Sequence, residues 1–68
     1  MLPVGNRVRE MREARALSQS ELGAAIGVTR QTVAAIERRH YSPSLEVAFR
    51  LARQFDCGLQ ELFWWDGG

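Results

Sequence analysis

The sequence contains one cysteine, one histidine, two prolines and no lysine in 68 residues. A lone Cys57 cannot close an internal disulfide, and Cys57 with His40 falls short of a structural zinc site. Chains of this size bury only about 60% of the surface they expose when unfolded. Without a staple, the fold must rest on well-packed apolar side chains, or on the help of a partner. No apolar run approaches the roughly 20 residues that cross a bilayer, so no membrane role is expected. The opening MLPVGNRVRE also lacks the apolar stretch of a secretory signal. A free thiol with no framework fits a reducing compartment, which makes the cytoplasm the expected setting. No glycine-rich phosphate loop occurs, and the histidine has no Ser or Cys constellation around it. An enzyme, a bound cofactor or a metal site is therefore not expected.

At 46% hydrophobic and 25% charged residues, the composition is that of an ordinary globular chain. The net charge of +1 conceals an asymmetry. Residues 1–40 carry seven arginines against four glutamates, whereas residues 41–68 carry two arginines against four acids. The basic surplus marks the first part as the side that faces a polyanion.

No repeat, linker or low-complexity stretch divides the chain, so residues 1–68 read as one domain, with a core over about 6–63 and a short tail at 64–68. Turn signals cut it into five short pieces, each with helical spacing, and no stretch shows a convincing strand pattern. The first helix is expected from Asn6, as cap, to about Ala16, with Val8 and Met11 inward. Ser18-Gln19-Ser20-Glu21 forms a capping box that opens a second helix with Leu22, Ala25 and Ile26 on one side, ended by Gly27. Thr29 caps a third helix, Arg30 to about Arg38, with Val33 and Ile36 buried. Helices joined by so short a turn must cross steeply. Ser44 caps a fourth helix carrying Leu45, Ala48, Leu51, Ala52 and Phe55, which Asp56-Cys57-Gly58 breaks. A last helix runs from Leu59 to about Phe63. The expected class is all-α, five short helices around one core.

The stretch LSQSELGAAIGVTRQTVAAIERRHYSPSLEVAFRLARQFDCGLQELF, Leu17 to Phe63, resembles the phage-repressor family of helix-turn-helix proteins, also called the Cro/cI-type or xenobiotic-response-element family. S-Q-x-E-L, I-G-V-[ST]-R-Q-T-V, I-E and P-S-L at these spacings carry the likeness. The resemblance implies a compact five-helix, lambda-repressor-like domain and a sequence-specific regulator of transcription, with a repressor expected. It also implies a structural ion pair between Arg12 and Glu37, and places Gln19 on the DNA backbone. The pattern departs from the family at three places. Gly23 stands where alanine is usual, Arg38-Arg39 replaces the usual asparagine-glycine, and Gly58 replaces the Ser or Thr that caps the last helix.

The residues support the same reading on physical grounds. Val33 and Ile36 anchor one face of the third helix, so Arg30, Gln31, Thr32 and Ala35 fall elsewhere. A major groove about 12 Å wide admits a helix presented this way. Arginine can contact guanine at two points, glutamine can do the same with adenine, and Thr32 and Ala35 can touch a thymine methyl. Gln19 and Thr29 at helix starts, with Arg38, Arg39, His40 and Tyr41 after the third helix, are the expected phosphate contacts, which fix position without reading sequence. Arg7, Arg9 and Arg15 read as a solvated face. Cys57 reads as a small, partly buried hydrophobe.

Trp64 and Trp65 cannot both fold back on the core easily, and an exposed aromatic patch marks a contact surface. Leu59, Phe63, Trp64 and Trp65 are therefore expected to form a homodimer seam. Two third helices would then enter successive major grooves of double-stranded DNA, with half-sites about 10 bp apart. No small-molecule effector is expected for a chain of this length. A different class of function, a helical interaction module such as an antitoxin or controller with a protein partner, is the alternative that the tryptophan pair keeps open.

Overall fold

Hydroxyl side chains open three of the five helices that the sequence lays out. The computed structural model describes residues 1–67. Along them run β1 (Val4–Asn6), α1 (Val8–Ala14), α2 (Gln19–Ile26), α3 (Arg30–Glu37), α4 (Leu45–Gln54), α5 (Leu59–Leu62) and β2 (Phe63–Trp65). The Ser18 hydroxyl accepts the Glu21 amide at 2.9 Å, and the Glu21 carboxylate accepts the Ser18 amide at 2.8 Å, a reciprocal box at the head of α2. Thr29 and Ser44 accept the amides of Thr32 and Val47, each at 3.2 Å. Caps of this kind stabilise a helix by about 1 kcal/mol each. At α5, Gly58 has no side chain to offer, but its amide donates to Glu61 at 2.7 Å.

The other ends of the helices share one device. Ala16, Gly27, Arg39 and Asp56 adopt left-handed φ values of 56°, 80°, 61° and 51° after α1, α2, α3 and α4. In each case the next amide folds back on the helix: Leu17 to Arg12, Val28 to Gly23, His40 to Ala35 and Cys57 to Ala52. This is the Schellman arrangement, which satisfies the last carbonyls. Leu17, Val28 and Cys57 are tucked partly inward at the position where such a turn makes its apolar contact. Only one of the four turns uses glycine. The other three carry a backbone strain that an L-residue avoids elsewhere.

Nine side chains form the core: Val8, Leu22, Ile26, Val33, Ile36, Leu51, Ala52, Phe55 and Leu62. Helix α2 packs chiefly on α3 and also on α4, and α1 rests on α3. Buried Gly23, inside α2, packs against the tight turn between α2 and α3, where a Cβ would stand 2.7 Å from the Val28 carbonyl oxygen. That close approach explains the smallest residue at this site. Ala25, expected inside, is exposed, and Gly23 takes the inward position beside Leu22.

Two expectations are corrected by the ends of the chain. The first helix has Arg7 rather than Asn6 at its cap position and ends at Ala14 rather than Ala16. Asn6 still serves it, since its Oδ1 accepts the Val8 amide at 3.0 Å while its Nδ2 donates to the Ile36 carbonyl at 2.9 Å. The absence of strands also fails. β1 and β2 pair antiparallel, Val4 opposite Trp65, Gly5 opposite Trp64 and Asn6 opposite Phe63. Three-residue strands drawn from opposite ends of a chain are too short to show a period and have no hairpin turn between them. The five-helix architecture stands, with this ribbon as a small addition.

Candidate nucleic-acid interface

Helix α3 turns Val33 and Ile36 into the core and leaves Arg30 and Gln31 exposed in its first turn. Gln19 at the head of α2 joins them, together with Ala34, Ala35, Arg38 and His40, around a shallow groove of about 400 Å3. Five of the expected DNA contacts, Gln19, Arg30, Gln31, Arg38 and His40, thus share one surface with Ala35. Thr32 lies next to them with its hydroxyl 3.1 Å from that of Thr29, so both hydroxyls are engaged at the helix cap. The Thr32 methyl is then its unengaged feature. Tyr41 follows in the loop, about half exposed.

Beneath the groove, Glu37 ties three elements together. Its carboxylate accepts Arg12 Nε at 2.7 Å and Arg12 Nη2 at 3.2 Å, and also Gln19 Nε2 at 3.2 Å. Arg12 Nη1 donates to the Leu17 carbonyl at 2.9 Å. The side chains of Arg12 and Glu37 are only 11% and 4% exposed. The hydrogen bond to Glu37 raises the Arg12 pKa, against the opposing effect of desolvation, with the charges of Glu37 and Glu13 adding to the rise. The fork-to-fork pairing locks the last turn of α3 to α1, and Gln19 links the same carboxylate to the start of α2.

Arg39 stands apart from the groove. Its Nε and Nη2 donate to the Leu2 carbonyl at 3.1 and 2.8 Å, and its Nη1 donates to Asp66 at 3.1 Å. Arg15, expected as solvated face, donates to the Phe55 carbonyl at 2.8 Å and lies 5.1 Å from the Phe55 ring centroid. Arg50 donates to the Ile26 carbonyl at 3.3 Å, at the end of α2. Sequence reasoning missed these contacts because an arginine that closes a distant helix end looks no different from one in water.

The tryptophans are separated by the strand pleat. Trp64 covers Gly5, where a Cβ would stand 2.6 Å from the indole nitrogen, and the Arg7 guanidinium lies 5.6 Å from its ring centroid. Trp65 points with Phe63 to the opposite face and is 68% exposed. The pleat thus sets Trp64 on the face of the ribbon opposite Phe63 and Trp65. Phe63 and Leu59 line an apolar groove of about 310 Å3 with Val4, Pro43, Leu45 and Ala48. Cys57 is partly buried, and that burial, with the nearby Glu61 charge, raises its thiol pKa.

A sequence model described as helix-turn-helix matches residues 8–62, from the start of α1 to the end of α5. The chain belongs to the Cro/cI-type helix-turn-helix family. A curated family relative, the HTH-type transcriptional regulator YgzD of Bacillus subtilis (strain 168), is 46% identical over 59 residues, spanning 87% of this chain and 89% of the relative. An HTH-type transcriptional regulator of Archaeoglobus fulgidus is 38% identical over 60 residues, covering 88% and 86% of the two chains. Among solved structures, the P22 c2 repressor in complex with synthetic operator 9T superposes with a TM-score of 0.77 at 26% identity, over 79% of this chain and 82% of that one. The restriction-modification controller protein C.AhdI of Aeromonas hydrophila gives a TM-score of 0.75 at 36% identity, over 81% and 83% of the chains. Among the described residues, no helix is long and apolar enough to cross a membrane, and no three His, Cys, Asp or Glu side chains cluster as metal ligands.

Proposed function

We propose that this chain, a DNA-binding transcriptional regulator of the helix-turn-helix family, is a cytoplasmic repressor that reads the major groove with α3 as a two-fold dimer, without catalytic activity. The observation that carries the reading is the groove itself. Arg30 and Gln31 project from the first turn of a helix whose other face is anchored in the core, with Gln19, Arg38 and His40 beside them. Arg30 and Gln31 are the base-reading pair, with Thr32 and Ala35 toward thymine methyls. Gln19, Thr29, Arg38, His40 and Tyr41 are the backbone contacts. Operator binding by the P22 c2 repressor, similar in fold, supports double-stranded DNA as the ligand.

For the dimer, the apolar groove supports a seam made by Leu59, Phe63 and Trp65. The exposed Leu45 and Phe49, one helical turn apart on α4, extend it. Selection from a random pool of duplex DNA tests the reading, with Arg30→Ala run beside the parent. The expected product is a pseudo-palindrome with half-sites about 10 bp apart. The variant is expected to lose preference at one or two positions per half-site. Enrichment of no sequence over random duplex at moderate salt would sink the proposal.

A further inference from the structure

The second residue after the reading helix, Arg39, is held in a way that binding alone does not explain. Arg39 sits at φ 61°, a conformation where glycine is unstrained and arginine is not. A substitution by glycine there would relieve the backbone, so the arginine side chain must supply a compensating interaction. It makes three hydrogen bonds, two to the Leu2 carbonyl and one to Asp66. The main chain answers in the other direction, with the Leu2 amide donating to the Arg39 carbonyl at 2.9 Å. The Asp66 amide in turn donates to the Pro3 carbonyl at 2.7 Å, which extends the β1–β2 ribbon to the clamp. The Arg39 side chain is only 19% exposed. Three of the five guanidinium N–H donors, one on each nitrogen, are thus committed within the protein.

We infer that Arg39 is a positioning residue for DNA binding: it clamps the loop after α3 to the terminal ribbon and thereby orients Arg38 and His40. This rests on the DNA-binding reading above. The loop has few other restraints on its far side. His40 is tied back to Ala35 through its amide, while the side chains of Arg38 and His40 are exposed on the groove. Pinning the Arg39 carbonyl and guanidinium to the Leu2 backbone fixes the direction in which its two neighbours leave the chain. Bidentate geometry is required, because a point charge on a flexible stem can bond one partner without setting an orientation.

Three variants separate a clamp from a phosphate contact. Arg39→Gly removes the guanidinium and relieves the backbone, so it folds. Arg39→Lys keeps the charge and loses the fork. Leu2→Pro deletes the amide that donates to the Arg39 carbonyl. The first measurement is amide hydrogen exchange on free protein, without DNA. Exchange at Asp66 should accelerate about tenfold in all three variants, and exchange at Leu2 likewise in the two Arg39 variants. The second is affinity for the selected operator across a salt series. All three should weaken binding about tenfold with the parent's salt slope unchanged. Arg38→Ala, as reference, should lower that slope by about 0.9. Unchanged exchange would overturn the clamp. A slope reduced by about one phosphate in Arg39→Gly and restored in Arg39→Lys would overturn the positioning role and make Arg39 a phosphate contact. If the parent itself prefers no sequence, the DNA reading fails, and the exchange data still decide whether the clamp exists.

Discussion

Glu37, at the last turn of the reading helix, accepts two hydrogen bonds from Arg12 of α1 in a parallel fork, with 2.7 Å to Nε and 3.2 Å to Nη2. Both side chains are largely shielded from water, so removing one strands the other. Glu37→Ala is expected to destabilise the fold by about 3 kcal/mol, more than a surface ion pair would. Replacing both, as Arg12→Met with Glu37→Leu, should cost less than the sum of the single changes. Urea unfolding of the parent, Arg12→Met, Glu37→Leu and the double variant measures the difference. Additive losses would show that the pair is not coupled.

The capping box at α2 predicts an acid-sensitive helix. The Ser18 backbone amide, and then its hydroxyl, hold the Glu21 carboxyl below its ordinary pKa. A folded-state pKa below the unfolded one adds stability above the ordinary carboxylate range and loses it as pH falls through the depressed value. Glu21→Gln should therefore flatten the acid side of the stability curve. Ser18→Ala should cost about 1 kcal/mol at neutral pH. Thermal unfolding at stepped pH would show both, and an unaltered acid limb in Glu21→Gln would contradict the linkage.

Different substitutions on the groove should separate reading from anchoring. Gln31→Ala is expected to weaken the preferred operator by about 1–3 kcal/mol and to relax one position. Arg38→Ala should weaken specific and random duplex alike. Titration against the selected site, single-base variants of it and random duplex distinguishes the two patterns. Equal loss on all sequences for Gln31→Ala would remove it from the reading set.

A charge placed on the apolar face tests the dimer. Leu45→Glu and Trp65→Glu alter exposed side chains and should leave each fold intact. Both are expected to halve the mass in sedimentation and to weaken operator binding steeply, since two half-sites are then bound independently. Trp64→Glu, on the opposite face of the ribbon, should leave the mass unchanged. A monomeric parent would refute the seam outright.

The helix-turn-helix itself was legible because its signals are local. Ser18, Gly27 and Thr29 mark ends, Leu22, Val33 and Ile36 mark the inner faces, and each acts within a turn of its own position. The pairing of Arg12 with Glu37 was legible only through family resemblance, since no rule of spacing links residues on separate helices. Three helix ends were less visible, because Ala16, Arg39 and Asp56 hold a left-handed turn without the glycine that announces one. The ribbon was invisible, being three residues on each side and wholly non-local. Reading Arg39 as a phosphate contact followed from its charge and place in sequence. Its hydrogen bonds to Leu2 and Asp66 depend on the ribbon, so they were invisible along with it.

The same ribbon sets an order of assembly. The turns between α1 and α4 join near neighbours and close quickly, whereas β1 cannot meet β2 until the whole helical body has brought the two ends of the chain together. With no turn to hold its strands together, the ribbon is expected to form after the helical turns. Residues 4–6 and 63–65 are thus expected to close over a helical body that is already formed.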